Sequence, residues 1–339
     1  MTKAKVGALR PGQKAALWVL PLLFAFAALC IGRIRLPPAE VLRSILAKLG
    51  LGAAAAGQTE QILWTMRFPR VLLALLVGAG LSVAGCAFQS LFSNPLATPD
   101  TLGVASGASF GAALGILLGL GLTGIQLTAL AFGVSAVALT YLSGMGRGRD
   151  VNSFVLAGIM IGSLFTALVA LVKFTADTES QLPAITYWLM GSLNGKSYDT
   201  LAIGAPLILV GVLILYLLRW RLNILPLSDD EARASGTNVK ALRIVTVLCA
   251  TAITASCVSM CGQVGWVGLL VPHICRMRYG NNHLSLLPAS ISLGGCFMVA
   301  VDTVARSASA AEIPVSILTA VIGAPFFIFL MRKSGGWRL

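Results

Sequence analysis

Charge is what this sequence has least of. Only 37 of its 339 residues are Asp, Glu, Lys or Arg, twelve of them acidic, and histidine occurs twice. Soluble domains carry about a quarter charged residues. A water-facing globule is therefore excluded, and 57% hydrophobic residues with a mean hydropathy of +0.87 mark an integral membrane protein. Strand-type alternation is also missing: the apolar runs continue for about 20 residues, which excludes a β-barrel and predicts helices. No phosphate-binding loop of the Walker form occurs, so the chain has no nucleotide site of its own. Nor is there a basic patch interleaved with aromatics. The surplus of 13 positive charges is therefore not read as nucleic-acid binding, and most of the cations stand at span ends. The seven cysteines (30, 86, 249, 257, 261, 275 and 296) lie nearly all in apolar runs and read as small buried residues. Cys257 and Cys261 share a helix face, but no nearby histidine completes a metal-ligand set.

What is present is a series of apolar spans. The basic start, MTKAKVGALRPGQK, precedes a first span at 17–32 that is read as retained, because no small-residue cleavage site follows Leu29. An amphipathic helix at 38–49 and an Ala/Gly linker come next. Further spans are predicted at 67–91, 103–121, 126–144, 153–173, 200–218, 242–261, from about 266, 284–303 and 313–331. That makes ten, in one all-α transmembrane domain covering 1–339. A short helix is expected around 185–191. Asn94-Pro95 and Pro99 break the chain twice after the second span, and Gly146–Asp150 is a basic turn. The second to fifth and seventh to tenth spans have the relation of a weak inverted repeat, since a shift of five spans reverses direction.

One polar stretch interrupts the pattern. Residues 219–243 (RWRLNILPLSDDEARASGTNVKALR) hold eight of the 37 charges between two membrane-length runs, so this island must sit in water. Ser228-Asp229-Asp230-Glu231 has the S-x-x-E form of a capping box, and three acids suit the positive end of a helix dipole. Gly236 stands where a short helix needs a left-handed residue, and Asn238 can cap the helix that follows. Two short helices, 229–235 and from 239, joined by a tight turn, make a rigid docking device.

Sidedness and energy source follow. With both termini and the island on the cytoplasmic side, sixteen of the 25 Lys/Arg fall on that side and nine on the other, in agreement with the positive-inside rule. The arginines kept outside want an explanation. Ion-coupled carriers need ionisable groups near the bilayer midplane. Here Lys173, His273, Asp302 and Arg306 lie near predicted span ends, and Asp302 and Arg306, spaced i, i+4, can pair. A polytopic chain without coupling charge or nucleotide site, but with an ordered docking device, points to transport driven by a separate ATPase. A passive channel leaves the device unexplained.

From Arg67 onward the chain resembles the permeases of type II ATP-binding-cassette importers that take up iron–siderophore complexes, haem or vitamin B12. The stretches that carry the resemblance are RFPRVLLALLVGAGLSVAGCAFQSLFSNPLATPDTLGVASGAS, GQVGWVGLLVPHICR and AEIPVSILTAVIGAPFFIFLMRK. It implies a B12 permease-like homodimer with ten helices per subunit in the cytoplasmic (inner) membrane. Two ATPase subunits, which bind ATP and magnesium, and one periplasmic or lipid-anchored binding protein would complete the importer; this chain itself would bind no cofactor. The island becomes the ATPase-coupling loop through Ser228, Asp229, Asp230, Glu231, Ala232, Arg233 and Gly236. Arg67, Arg70 and Arg306 match arginines that meet glutamates of the binding protein, and Asn94, Leu96, Val151 and Asn152 match the cytoplasmic gate. His273, within a shared motif, is expected to be structural. Iron–siderophore is the expected cargo, with cobalamin, haem or an oxyanion as alternatives and an ion-coupled carrier as the rival from another class.

Overall fold

The computed structural model describes residues 9–51, 57–144, 151–309 and 311–333. Among them every regular element is helical, as continuous apolar runs require: α1 (Pro11–Cys30), α2 (Pro38–Lys48), α3 (Gly57–Gln61), α4 (Phe68–Leu91), α5 (Val104–Leu117), α6 (Leu122–Gly144), α7 (Val151–Thr175), α8 (Gln181–Leu189), α9 (Tyr198–Leu217), α10 (Asp229–Ala234), α11 (Val239–Cys261), α12 (Val267–Tyr279), α13 (His283–Ala308) and α14 (Val315–Lys333). Helices α1, α4–α7, α9 and α11–α14 stand where the sequence places its ten spans. The all-α polytopic expectation holds.

Two boundaries differ for physical reasons. The second span does not begin at Arg67: a π turn, Ile62–Arg67, joins α3 to α4 in one rod from Gly57 to Leu91. Pro69 cannot donate to a carbonyl one turn back, and the wider turn ahead of it absorbs that loss. Secondly, α13 runs to Ala308 instead of 303, so Arg306 is inside the helix.

Among the described residues, seven helices are long and apolar enough to cross a membrane. Helix α14 has a shorter apolar part, Val315–Phe329. Helices α5 and α12 are shorter still, with 14 and 13 residues. At 1.5 Å per residue each covers only about 20 Å of a hydrocarbon core about 30 Å thick. Both follow irregular backbone, at 92–103 and 262–266, and they occupy matching places in the two halves of the chain.

The trunk of the molecule is α4, α11 and α13. In the most apolar stretch of α4, 78% of residues are buried; in that of α1 the share is 17%. Helices that are apolar all round belong inside. Glycine sets the closeness of this trunk: a Cβ on Gly78 would collide with the carbonyl of Gly294 on α13, and one on Gly85 with that of Gly268 on α12. Small residues at such crossings let backbones approach where lipid supplies no hydrophobic drive between helices. The outer helices α1, α6, α7 and α9 keep exposed Leu, Ile, Val and Phe, among them Leu22, Leu142, Leu164 and Leu209.

Candidate functional site

The island folds as its punctuation demands. After α9, Arg219 donates to the Tyr216 carbonyl at 2.7 Å and lies 4.1 Å over the Tyr216 ring. A 3-10 turn, Arg221–Ile224, follows and buries Leu222 and Ile224 in the trunk. At the start of α10 the capping box closes. Ser228 Oγ meets Glu231 Oε2 at 2.8 Å, the Ser228 N–H donates to the same oxygen at 3.2 Å, and the Glu231 N–H donates to Ser228 Oγ at 3.4 Å. Gly236 is left-handed with φ +71°, and Asn238 Oδ1 accepts the Ala241 N–H at 3.0 Å. Ala232 is 1% exposed and anchors α10, while Asp230 and Glu231 face solvent. Asp229 and Arg233 belong to α10, but their side chains lie outside the described residues. A cleft of about 350 Å³, lined by Trp220, Arg221, Gly236, Asn238 and Val245, separates the end of α9 from the α10–α11 turn.

The broken segment after α4 is a second ordered device. Ser93 has φ +48°, Asn94 Oδ1 accepts the Leu96 N–H at 2.9 Å, and the Asn94 carbonyl accepts the Ala97 N–H at 3.1 Å. Asn94 and Leu96 are exposed. Helix α7 packs beside the 3-10 turn Pro99–Leu102, so closely that a Cβ on Gly158 would collide with the Thr101 carbonyl. Val151 and Asn152 form the first turn of α7; their side chains lie outside the described residues. One residue was missed. Asp100, on that 3-10 turn, lines a cavity of about 40 Å³ with Leu81, Thr98, Gln263 and Trp266. Leu81 is near the middle of α4, so this ionisable side chain shares a cavity with a mid-helix residue. The irregular backbone carries it there: the segments preceding α5 and α12 meet at this cavity, and only the pairing of two short spans could have hinted at it.

At the other end of α4 lie the three arginines. They do not project outward. Arg70 binds Asp302 with Nε at 2.9 Å and Nη2 at 2.8 Å, and reaches both oxygens of Glu312 at 3.1 and 3.0 Å. Arg67 donates to the carbonyls of Leu29, at 2.6 Å, and Ile34. Arg306 donates to the Ala28 carbonyl and stands 3.6 Å from Asp302, so the expected i, i+4 pair forms. All three arginines and Asp302 are buried. The reason is cost: a charge next to hydrocarbon must find a partner or reach water. Glu312, in the connection 309–314, is the most accessible member and has φ +52°, rare for a residue with a Cβ. Its part was illegible, since 242 residues separate it from Arg70.

His273 lies inside α12, its ring 5.4 Å from that of Phe327 on α14, a packing role. Cys257 and Cys261 are buried within α11, with the Cys261 thiol 3.0 Å from the Cys257 carbonyl. The arginine cluster and the island occupy opposite ends of α4. The 20 residues from Arg70 to Ser90 span about 30 Å, the thickness of a bilayer core.

The model of the FecCD transport family matches residues 20–333. The molybdate import system permease MolB of Haemophilus influenzae is 40% identical over 318 residues, 94% of each chain. The hemin transport system permease HmuU of Yersinia pestis is 35% identical, covering 85% of this chain and 93% of its own length. A solved structure assigned to the metal-chelate type of ABC transporter, in an inward-facing conformation, shares 38% identity at a TM-score of 0.87, over 96% of this chain and 100% of that one.

Proposed function

Because this chain belongs to the FecCD transport family, we propose that it is the transmembrane subunit of an ATP-driven importer. Its fuel comes from a separate ATPase, and its cargo from an external binding protein. The observation that carries this reading is the capped island, rigid on a chain with no phosphate-binding loop. In this reading the island and both termini face the cytoplasm, and the arginine cluster faces outside. Two copies form the path between them and stand on two ATPase subunits, which hold ATP and magnesium. Closure of the ATPases pushes α10 and the Gly236 turn, and the gate near Asn94–Leu96 and Val151–Asn152 reorganises.

Docking of the binding protein is assigned to the arginine end. Arg67, Arg70 and Arg306 outnumber Asp302 and Glu312 by one charge, which favours acidic partner residues, and rim charges act mainly on association rate and salt dependence. Since the guanidinium groups face inward, docking through Arg70 requires Glu312 to yield its place.

A metal chelate, iron–siderophore first, is the proposed cargo. The 40% identity with a molybdate permease favours an oxyanion as the second reading. Titrating the partner binding protein with ferric siderophore, haem, cobalamin and molybdate separates them. For the importer itself the test is uptake into vesicles holding the permease, its ATPase and its binding protein. Gly236→Val, which forces a branched residue to φ +71° at a cost of about 1–3 kcal/mol, should uncouple ATP hydrolysis from uptake; unchanged uptake overturns the coupling role. Asp100 favours the rival, a proton-coupled carrier. Uptake that needs no ATPase and collapses with a protonophore would establish that rival instead.

A further inference from the structure

A line of hydrogen bonds runs from the island to the end of α4, through residues that neither the coupling nor the gating assignment uses. It begins at Asn223, in the 3-10 turn between α9 and α10. Asn223 Nδ2 donates to the Trp220 carbonyl and to Asn282 Oδ1, both at 3.2 Å, and Asn223 Oδ1 accepts the His283 N–H at 2.9 Å. Asn282 in turn caps α13 by accepting the Leu284 N–H at 3.0 Å. The His283 side chain then reaches across to α4, with Nε2 2.5 Å from Ser90 Oγ. Ser90 Oγ also lies 3.1 Å from the Cys86 carbonyl; when its proton is given there, His283 Nε2–H donates to Ser90. One turn below, Cys86 Sγ and Ser290 Oγ, 3.1 Å apart, stitch the same two helices again. Four residues beyond Ser90 stands Asn94.

This line is buried where it crosses the trunk: Ser90 and His283 are 4% exposed each. Leu222 and Ile224, on either side of Asn223, are wedged into the core, and their 3-10 turn packs on both α4 and α11. The α10–α11 turn, by contrast, is separated from the end of α9 by the large cleft. A push on the island therefore has a direct hydrogen-bonded route to the gate segment through Asn223. Buried hydrogen bonds resist separation, because each one broken leaves a desolvated partner.

We propose that Asn223, His283 and Ser90 are positioning residues that couple movement of the island to the gate segment 92–98. The proposal rests on the coupling reading above, and it predicts which contacts carry the movement.

The permease is assembled with its ATPase subunits in liposomes, carrying Leu96→Cys. Labelling of that cysteine by a membrane-impermeant maleimide is timed with and without ATP and vanadate, after subtracting the label taken up by the protein lacking it. With the line intact, ATP should change the labelling rate by about 10-fold or more, the effect expected from one buried hydrogen bond. His283→Leu and Ser90→Ala should each abolish most of that change while ATP is still hydrolysed and the complex stays assembled. The double variant should be no worse than either single one. His283→Gln, whose side-chain N–H replaces Nε2–H, should restore the response; a merely structural role gives no reason for that rescue. If the leucine and alanine variants keep the full ATP response, the proposal is wrong. If the unaltered line shows no ATP response at Leu96→Cys, the coupling reading fails, and this proposal with it.

Discussion

The two ends of α4 solve the same problem in opposite ways. At the arginine end five ionisable side chains are drawn inward: Arg67 and Arg306 onto helix-end carbonyls, Arg70 onto two carboxylates from α13 and its following loop. At the island end Asp230 and Glu231 stay in water, and order comes instead from neutral or local devices: a capping box, an N-cap and a left-handed glycine. What separates them is distance from solvent. A buried charge is held by another charge and becomes part of the fold; an exposed one is screened and left free for a partner. Under the proposed function, the arginine end is structure first and interface second, and the island is the reverse.

The largest effect that could break this contrast is at Asp302. Asp302→Ala leaves Arg70 with Glu312 alone and Arg306 with carbonyls, which should cost about 3–5 kcal/mol. In detergent this should appear as a large fall in the unfolding temperature; a stability close to the parent's would show the cluster to be ornamental. Next comes Gly85→Ala, whose methyl group has only the Gly268 carbonyl to meet, an overpacking cost of about 1–3 kcal/mol read by the same melt. Ser228→Ala sharpens the other side. Loss of that cap should cost about 1 kcal/mol locally, with the melting temperature almost unmoved, while ATPase stimulation in the assembled complex falls. A large drop in melting temperature instead would mean that the island is part of the core. A smaller stability effect than that of Asp302→Ala is expected from Glu312→Gln, since Arg70 keeps its bonds to Asp302 and an amide oxygen can still accept from it. Its effect on docking should be clearer: freed from Glu312, Arg70 should take the binding protein with a faster association that slows steeply with salt. Unchanged association would remove Arg70 from the docking surface.

Much of this was legible in sequence because it depends on near neighbours. The island was readable from Ser228, Glu231, Gly236 and Asn238, all within eleven residues, and each acts through a bond to a residue three positions away or through its own backbone angle. The spans followed from hydropathy, and the Asp302–Arg306 pair from helical spacing. What could not be read involves long separations. Arg70 and Asp302 are 232 residues apart, Ser90 and His283 are 193 apart, and no periodicity reports such pairs. Asp100 escaped for a related reason: its place beside a cavity is set by where the irregular segments before α5 and α12 meet.

The amino-acid string alone thus decided that this chain lives in a membrane, roughly where its helices lie, and that one polar island carries its own caps, because hydrophobic transfer and capping act within a turn or two of the backbone. Only the packed structure decided which charges face one another and which serine meets which histidine. Those contacts are fixed by the crossing of α4 with α12 and α13, and that crossing exists only once glycines distant in the chain have let the helices close on each other.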